Sequence, residues 1–114
     1  MSRVAALEAL LAKGQDNALL RYSLGNEYLN GVDAAAAAAH LRRAVHHDPD
    51  FSAAWKLLGK AHAALGQNAE ARVAFESGIS AAIRKGDKQA EKEMRVFLKR
   101  LNSTGTASPP PASA

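Results

Sequence analysis

Residues 21–49, RYSLGNEYLNGVDAAAAAAHLRRAVHHDP, and residues 55–83, WKLLGKAHAALGQNAEARVAFESGISAAI, are two copies of one pattern held 34 residues apart. A fixed spacing of about 20 to 50 residues indicates stacked units, because each unit needs its neighbour to bury its apolar face. The two copies therefore predict an array of helical hairpins. Equivalent positions resemble one another in size and polarity, pairing Leu24 with Leu58, Gly25 with Gly59, Ala37 with Ala71, and Leu41 with Phe75.

The composition fits a single all-α domain. With 114 residues, 47% of them hydrophobic, the chain can bury a core without covalent staples. Aromatic residues make up only 5%, whereas alanine and leucine are abundant, which favours closely packed helices over strands. Cysteine is absent, so disulfides, thiolate metal sites and cysteine nucleophiles are excluded.

Capping residues, apolar stripes and helix-ending glycines predict about six helices in one domain over residues 1–102. We expect a half-repeat helix over residues 3–13, a first repeat over 17–50, a second repeat over 51–85 and a capping helix over 87–102. Residues 103–114 hold only small residues, threonine and three prolines, which predicts a disordered tail. The residues expected to begin the helices are Ser2, Asp16 or Asn17, Asp33, Ser52, Asn68 and Asp87. Those expected inside the fifth helix are Ala71, Phe75, Ile79 and Ile83.

The two copies resemble the tetratricopeptide repeat (TPR), whose signature has tryptophan, leucine-glycine, tyrosine, alanine, phenylalanine and proline at these separations. The second copy supplies Trp55, Leu58, Gly59, Ala71 and Phe75, and the first supplies Leu24, Gly25, Tyr28, Ala37, Ala44 and Pro49. The copies depart from the signature at Arg21 in the tryptophan place, His62 in the tyrosine place and Ile83 in the proline place. The resemblance implies a right-handed superhelical array of antiparallel helix pairs with a non-enzymatic, protein-binding function.

In the TPR family the first helix of each pair lines a concave groove, where extended peptides or partner helices dock. Lys56 and Lys60 are one helical turn apart on such a helix, and their charges favour an acidic or carboxylate-bearing segment. The alternative is that both lysines belong to a solvated helix face. The partner-binding residues that the resemblance implies are Leu19, Tyr22, Asn26, Leu29, Ala53, Lys56, Lys60 and Ala63.

We expect no catalytic site, no metal site and no cofactor. The sequence has no glycine-rich phosphate loop and no nucleophile beside an obvious base. Its four histidines, at 40, 46, 47 and 62, lack the further ligands that would complete a four-coordinate ion. Two other functions remain open: a small helical ligand-binding or enzymatic bundle, and a basic nucleic-acid adaptor. The formal charge of +4 mixes both signs along the helices, so no nucleic-acid partner is expected.

The start of the chain predicts a cytoplasmic protein without a membrane partner. The first seventeen residues lack the basic start and uninterrupted apolar run of a secretion signal, and no stretch approaches the roughly 20 apolar residues of a membrane span. Residues 3–13 have a weakly polar outer side rich in alanine, which predicts weak self-association or extension by a partner helix. The alternative is that an alanine surface is too thin to bind, and whether this helix or the groove is the main interaction surface stays open.

Overall fold

Six α-helices succeed one another along residues 2–105, the part of the chain that the structure, a computed structural model, describes. No strand occurs within that part, so the predicted all-α fold is confirmed. None of the helices found there is both long enough and apolar enough to cross a membrane. The helices are α1 (Arg3–Ala12), α2 (Ala18–Asn30), α3 (Ala34–His47), α4 (Ser52–Ala64), α5 (Asn68–Lys85) and α6 (Lys88–Gly105).

Side-chain caps begin four of the helices. The side chains of Ser2, Asn17, Asp33 and Asp87 each accept a hydrogen bond from the backbone N–H three residues later, at 2.9–3.1 Å. These bonds satisfy N–H groups that lack a partner in the first turn of a helix. Of the two residues predicted to cap α2, Asn17 does so, because the Asp16 carboxylate is held by Arg21 instead.

Ser52 and Asn68 are the first residues of α4 and α5, so both predicted helix starts are confirmed, but the capping role predicted for Asn68 is wrong. No side chain caps α4 or α5, and the residues at their N-caps are Phe51 and Gln67. Ser52 is buried, and its hydroxyl donates to the carboxylate of Asp87 at 3.4 Å rather than to its own helix. Asn68 is the first residue of α5 and lies one position too late to cap it.

The helix pairs pack closely because glycine sits where they cross. A Cβ atom on Gly59 of α4 would lie 2.5 Å from the ring of Phe75 on α5, and one on Gly25 of α2 would collide with Leu41 on α3. Carbon atoms in ordinary contact are about 3.5–4.0 Å apart, so a larger residue would push the helices away from each other. The repeated glycine thus sets the spacing of both hairpins.

Two groups of buried side chains form the core. One lies between α2, α3 and α4 and includes Leu41 and Leu58, and the other lies between α5 and α6 and includes Phe75 and Met94. Trp55 packs against both groups. Its indole N–H donates to the carbonyl of Pro49 at 2.7 Å, which ties the turn between α3 and α4 to the core.

The end of α5 differs from the sequence-based expectation. Ile83 is 55% exposed, and the inward position at this level belongs to Ala82, which is fully buried. The predicted inward orientation of Ile83 is therefore wrong. Its neighbour along the same helix face, Ile79, is buried as expected.

The last helix runs to Gly105, three residues beyond its predicted end. The hydroxyl of Ser103 donates to the carbonyls of Lys99 and Arg100 at 3.3 and 3.4 Å, so this residue continues the helix instead of beginning the tail. The rest of the predicted disordered tail, residues 106–114, lies outside the described part of the chain. α6 packs mainly on α5 but also touches α4, so it stands where the first helix of another pair would stand.

Candidate partner-binding site

A surface cavity of about 450 Å³ opens between α4 and α6. Lys56 and Lys60 reach it from α4, one turn apart, as their spacing predicts. The opposite wall comes from α6, which presents polar and charged side chains around one aromatic ring. The α6 residues that line the cavity are Gln89, Lys92, Glu93, Val96, Phe97 and Arg100.

Lys56 is neutralised within the cavity. Its ammonium group donates to Glu93 at 2.7 Å, and Gln89 donates to the other oxygen of the same carboxylate at 2.9 Å. The hydrogen bonds from Lys56 and from Gln89 lower the pKa of Glu93 below its usual range, so this carboxylate stays ionised. An incoming acidic group must therefore compete with Glu93 for Lys56.

The aromatic ring of Phe97 forms the apolar part of the cavity. The Lys60 ammonium lies 5.4 Å from the centre of this ring and the Arg100 guanidinium 5.9 Å from it, both within the range of a cation–π contact. Phe97 itself stacks on buried Phe75 at 5.6 Å, so its position is fixed by the core. Two cationic groups thus lie over a ring that packs on the core.

Lys92 adds a positive charge to the cavity. It is exposed, and no residue that the structure describes gives it a hydrogen bond or an ion pair. The cavity therefore contains the ion pair of Lys56 with Glu93 and also the positively charged side chains of Lys60, Lys92 and Arg100. This balance favours an anionic ligand with an apolar portion.

The predicted residues on α2 lie apart from this cavity. Tyr22 is half-buried with its ring 4.8 Å from that of Phe51, and Leu29 packs against the first core group. Asn26 is half-buried. Leu19 is 66% exposed and lines a smaller cavity together with leucines of α1.

The two small predicted residues of α4, Ala53 and Ala63, are half-buried. Ala63 packs against the second core group and lines a cavity of about 300 Å³ that continues past Phe97 toward Leu101. The structure therefore brings together three of the eight predicted residues, Lys56, Lys60 and Ala63, with α6. Whether the eight residues bind a partner stays a prediction.

The contribution of α6 is what sequence reasoning missed. The sequence predicts only a capping helix over residues 87–102 and assigns none of its residues to the groove. The order of the helices could have indicated that α6 lines the groove. α6 is the third even-numbered helix after α2 and α4, and in an array of pairs that position belongs to a first helix, which lines the groove.

A second polar group joins α1 to the first repeat. The hydroxyl of Tyr28 donates to Glu8 at 2.7 Å, and the His40 ring stacks on Tyr28 at 5.4 Å. Arg21 lies 3.1 Å from Nδ1 of His40, and because a guanidinium can only donate, this nitrogen is the acceptor and His40 is neutral. Burial, together with the charge of Arg21, lowers the pKa of His40 despite nearby Glu8.

Arg21 explains how the first repeat does without the signature tryptophan. It binds Asp16 through two hydrogen bonds of 2.7 and 2.9 Å, and His47 approaches the same carboxylate at 2.9 Å. These bonds, the one from Arg21 first, hold the pKa of Asp16 well below its usual range.

Among residues 2–105, no three histidine, cysteine or acidic side chains are grouped so that they could hold a metal ion.

Comparison with known proteins places this arrangement in a family. Residues 32–82 match the tetratricopeptide repeat family. The chain is 56% identical over 103 residues to the TPR repeat-containing protein PA0015 of Pseudomonas aeruginosa PAO1, covering 90% of this chain and 98% of that protein. It is also similar to the solution structure of protein BPP2914 from Bordetella parapertussis, at 44% identity and a TM-score of 0.79, covering 95% of this chain and 96% of that one.

These similarities agree with the paired helices, the glycine crossings and the position of α6. TPR arrays generally serve as non-enzymatic modules for protein–protein interaction. The chain therefore belongs to the tetratricopeptide repeat family.

Proposed function

We propose that this protein is a non-enzymatic binding module that docks an acidic peptide or partner helix in the groove lined by α2, α4 and α6. The observation that carries the proposal is the positive charge beside Phe97. Lys60 and Arg100 lie over its ring, and Lys92 lines the same cavity, whose volume of about 450 Å³ is large enough for one or two side chains.

The ion pair between Lys56 and Glu93 indicates which residues would select the ligand. Lys56 is occupied by Glu93, whereas Lys92 has no partner among the described residues. Lys60 and Lys92 therefore supply most of the attraction for an acidic segment, and Glu93 opposes it. The affinity for such a segment is expected to increase when Glu93 is neutralised.

Binding of fluorescently labelled synthetic peptides tests the proposal. One peptide places glutamates around a central phenylalanine, and its counterpart carries lysines in their place. We expect Lys92→Glu or Lys60→Glu to weaken binding of the acidic peptide about tenfold, and Glu93→Gln to strengthen it several-fold. Lys85→Glu at the end of α5 is the matched control, since it makes the same change of charge outside the cavity.

Equal losses in Lys92→Glu and Lys85→Glu would show that only the overall charge matters, which contradicts a groove site. Preferential binding of single-stranded RNA or DNA, lost steeply with salt, would favour the alternative of a nucleic-acid adaptor. Turnover of a small molecule in the cavity would favour the enzymatic alternative. The expected cytoplasmic location stays a prediction.

We also propose weak self-association through residues 3–13. α1 has no buried residue, and it lines a cavity of about 240 Å³ in which Leu10 and Leu19 are 36% and 66% exposed. Light scattering across a wide concentration range should show a growing dimer fraction that Leu10→Lys and Leu19→Lys abolish. A chain that stays monomeric throughout would contradict this role.

A further inference from the structure

A second groove lies on the side of the array formed by α3 and α5. The backbones of these two helices do not approach each other closely, because α4 lies between them. Two adjoining cavities of about 400 and 500 Å³ follow the gap, and both are lined by Arg42 and Trp55. We call this groove the back cleft. It shares no lining residue with the cavity between α4 and α6.

The floor of the back cleft is apolar. Leu58 is buried there, and one polar atom each of Trp55 and His62 is already hydrogen-bonded within the fold. The indole N–H of Trp55 donates to Pro49, and Nδ1 of His62 lies 2.7 Å from the side-chain oxygen of Gln67. What the floor offers a ligand is therefore mainly hydrocarbon and aromatic surface.

One lip of the back cleft is apolar as well. Val73 of α5 is 60% exposed beside this floor. Such a side chain loses water favourably when a second apolar group covers it. The floor and this lip together suit one bulky apolar side chain.

The wall formed by α3 is basic. Arg42, Arg43 and His46 line it, and the one acidic lining residue on the opposite wall is Glu70. Within the described part of the chain, Arg42 has no hydrogen bond or ion pair, and the carboxylate nearest Arg43 is that of Asp16 at 3.9 Å. The charge that would complement this wall is negative.

We propose that the back cleft binds a short segment of another protein in which a bulky apolar side chain is flanked by acidic residues. The apolar side chain covers Trp55 and Val73, while the acidic residues pair with Arg42 and Arg43. This site is separate from the groove of the proposed function, so the array can hold two partners on opposite sides.

A second copy of this chain is a poorer occupant. The bulky apolar residues with two acidic neighbours in sequence include Phe51, beside Asp48 and Asp50, and Met94, beside Glu91 and Glu93. Phe51 packs on Tyr22, and Met94 is fully buried. Neither side chain is available to enter a neighbouring molecule, and Val73, which lies between Glu70 and Glu76 in sequence, is itself part of the cleft.

The test uses the full chain and a synthetic peptide with a central leucine flanked by glutamates. Trp55 is the single tryptophan, so its fluorescence and its indole N–H resonance report directly on the floor of the cleft. We expect the peptide to shift both signals, together with the amide resonances around Arg42 and Val73. Arg42→Glu should weaken this binding about tenfold and should improve binding of the same peptide with lysines in place of glutamates.

Lys92→Glu is the matched control, because it alters the charge of the other groove and should leave the response of Trp55 unchanged. Both substituted side chains are exposed, so both variants should fold. The proposal is overturned if the peptide leaves the resonances of Trp55 and Val73 unmoved up to about 1 mM. It is equally overturned if Lys92→Glu abolishes the response while Arg42→Glu does not, which would place the peptide in the groove between α4 and α6.

Discussion

At the scale of single residues, the two repeats differ most informatively at the turn between their helices. Val32 has a φ angle of 62°, and Gly66, 34 residues later, has a φ angle of 74°. A β-branched residue is strained in this left-handed region, whereas glycine adopts it freely. The first hairpin therefore carries a local cost that the second avoids.

We predict that Val32→Gly stabilises the protein by about 1 kcal/mol, because relief of strain outweighs the added freedom of the unfolded chain. Little packing is lost, since Val32 is 90% exposed. Urea denaturation measures the change. Gly66→Val is the reciprocal variant and should destabilise by a similar amount, and a destabilised Val32→Gly would show that the turn tolerates valine without strain.

Glycine at the helix crossing has a different role, which depends on space instead of φ. We predict that Gly59→Ala destabilises the protein by about 1–3 kcal/mol, although alanine is the better helix former, because its Cβ would meet the ring of Phe75 at 2.5 Å. Thermal or urea unfolding checks this value. Gly31→Ala is the control: its φ is −86° and its Cβ would find nothing closer than 3.5 Å, so a change within about 0.5 kcal/mol is expected.

At the scale of elements, α1 is held to the array partly by polar contacts, which include the ion pair of Arg3 with Glu27 at 2.9 Å. It buries no residue, and it meets α2 and α3 through Glu8, which faces Tyr28 and His40. Arg21 on α2 faces the other side of the His40 ring, and Asp16 lies beyond Arg21. Protonation of His40 would place a cation against that guanidinium.

We therefore predict that stability falls as the pH is lowered through and below the ordinary histidine pKa of 6.5. The pKa of His40 in the folded protein is below the ordinary value of 6.5, so between the two values the unfolded chain binds more protons. Neutral His40 thus contributes its full share of the folding stability above the ordinary pKa of 6.5. This contribution is lost as the pH falls toward the lowered pKa of the folded protein. Urea denaturation at several pH values should show a smaller slope for His40→Gln.

His46→Gln is the control for this prediction, because His46 is exposed on the back of α3 and should leave the slope unchanged. An unaltered slope in His40→Gln would contradict the assigned role. Asp16 does not confuse the result, since its pKa is also lowered and its contribution is lost only in more acidic solution.

At the scale of the whole molecule, the array measures 56 × 30 × 18 Å and is held together along its length by neighbouring helices. α6 makes the last of these contacts between neighbouring helices, mainly with α5. Its Met94 is fully buried, and without it Phe75 and Ile79 of α5 would lose their cover. The same helix supplies most of the cavity wall, so stability and binding meet in one element.

We predict that a chain ending at Gly86 loses the folded second repeat. Each of the large side chains covered by α6 contributes about 1.5–3 kcal/mol on burial, and together they approach the total stability of a small domain, about 5–15 kcal/mol. Circular dichroism and thermal unfolding should show the loss. A chain ending at Gly105 keeps α6 and is the control. A truncated chain with an unchanged melting temperature would show that α6 contributes no more than a peripheral contact.

Much of the fold could be predicted because the interactions that determine it join residues close in sequence or recur with the 34-residue repeat. The caps at Ser2, Asp33 and Asp87 depend on residues three positions apart. The 34-residue period specifies that Gly25 meets α3 as Gly59 meets α5. Such features recur at fixed spacings, so they can be recognised before any coordinates are known.

The sequence alone determined the helices, their pairing and the turn of α4 that carries Lys56 and Lys60, because these follow from neighbouring residues and from the repeat. Only the tertiary structure decided what those lysines face. The docking of α6 gives Glu93 to Lys56, places Phe97 beneath Lys60, and leaves Lys92 without a partner among the described residues. These contacts join residues more than 30 positions apart. Their geometry depends on how α6 packs against α4 and α5, which no local sequence pattern encodes.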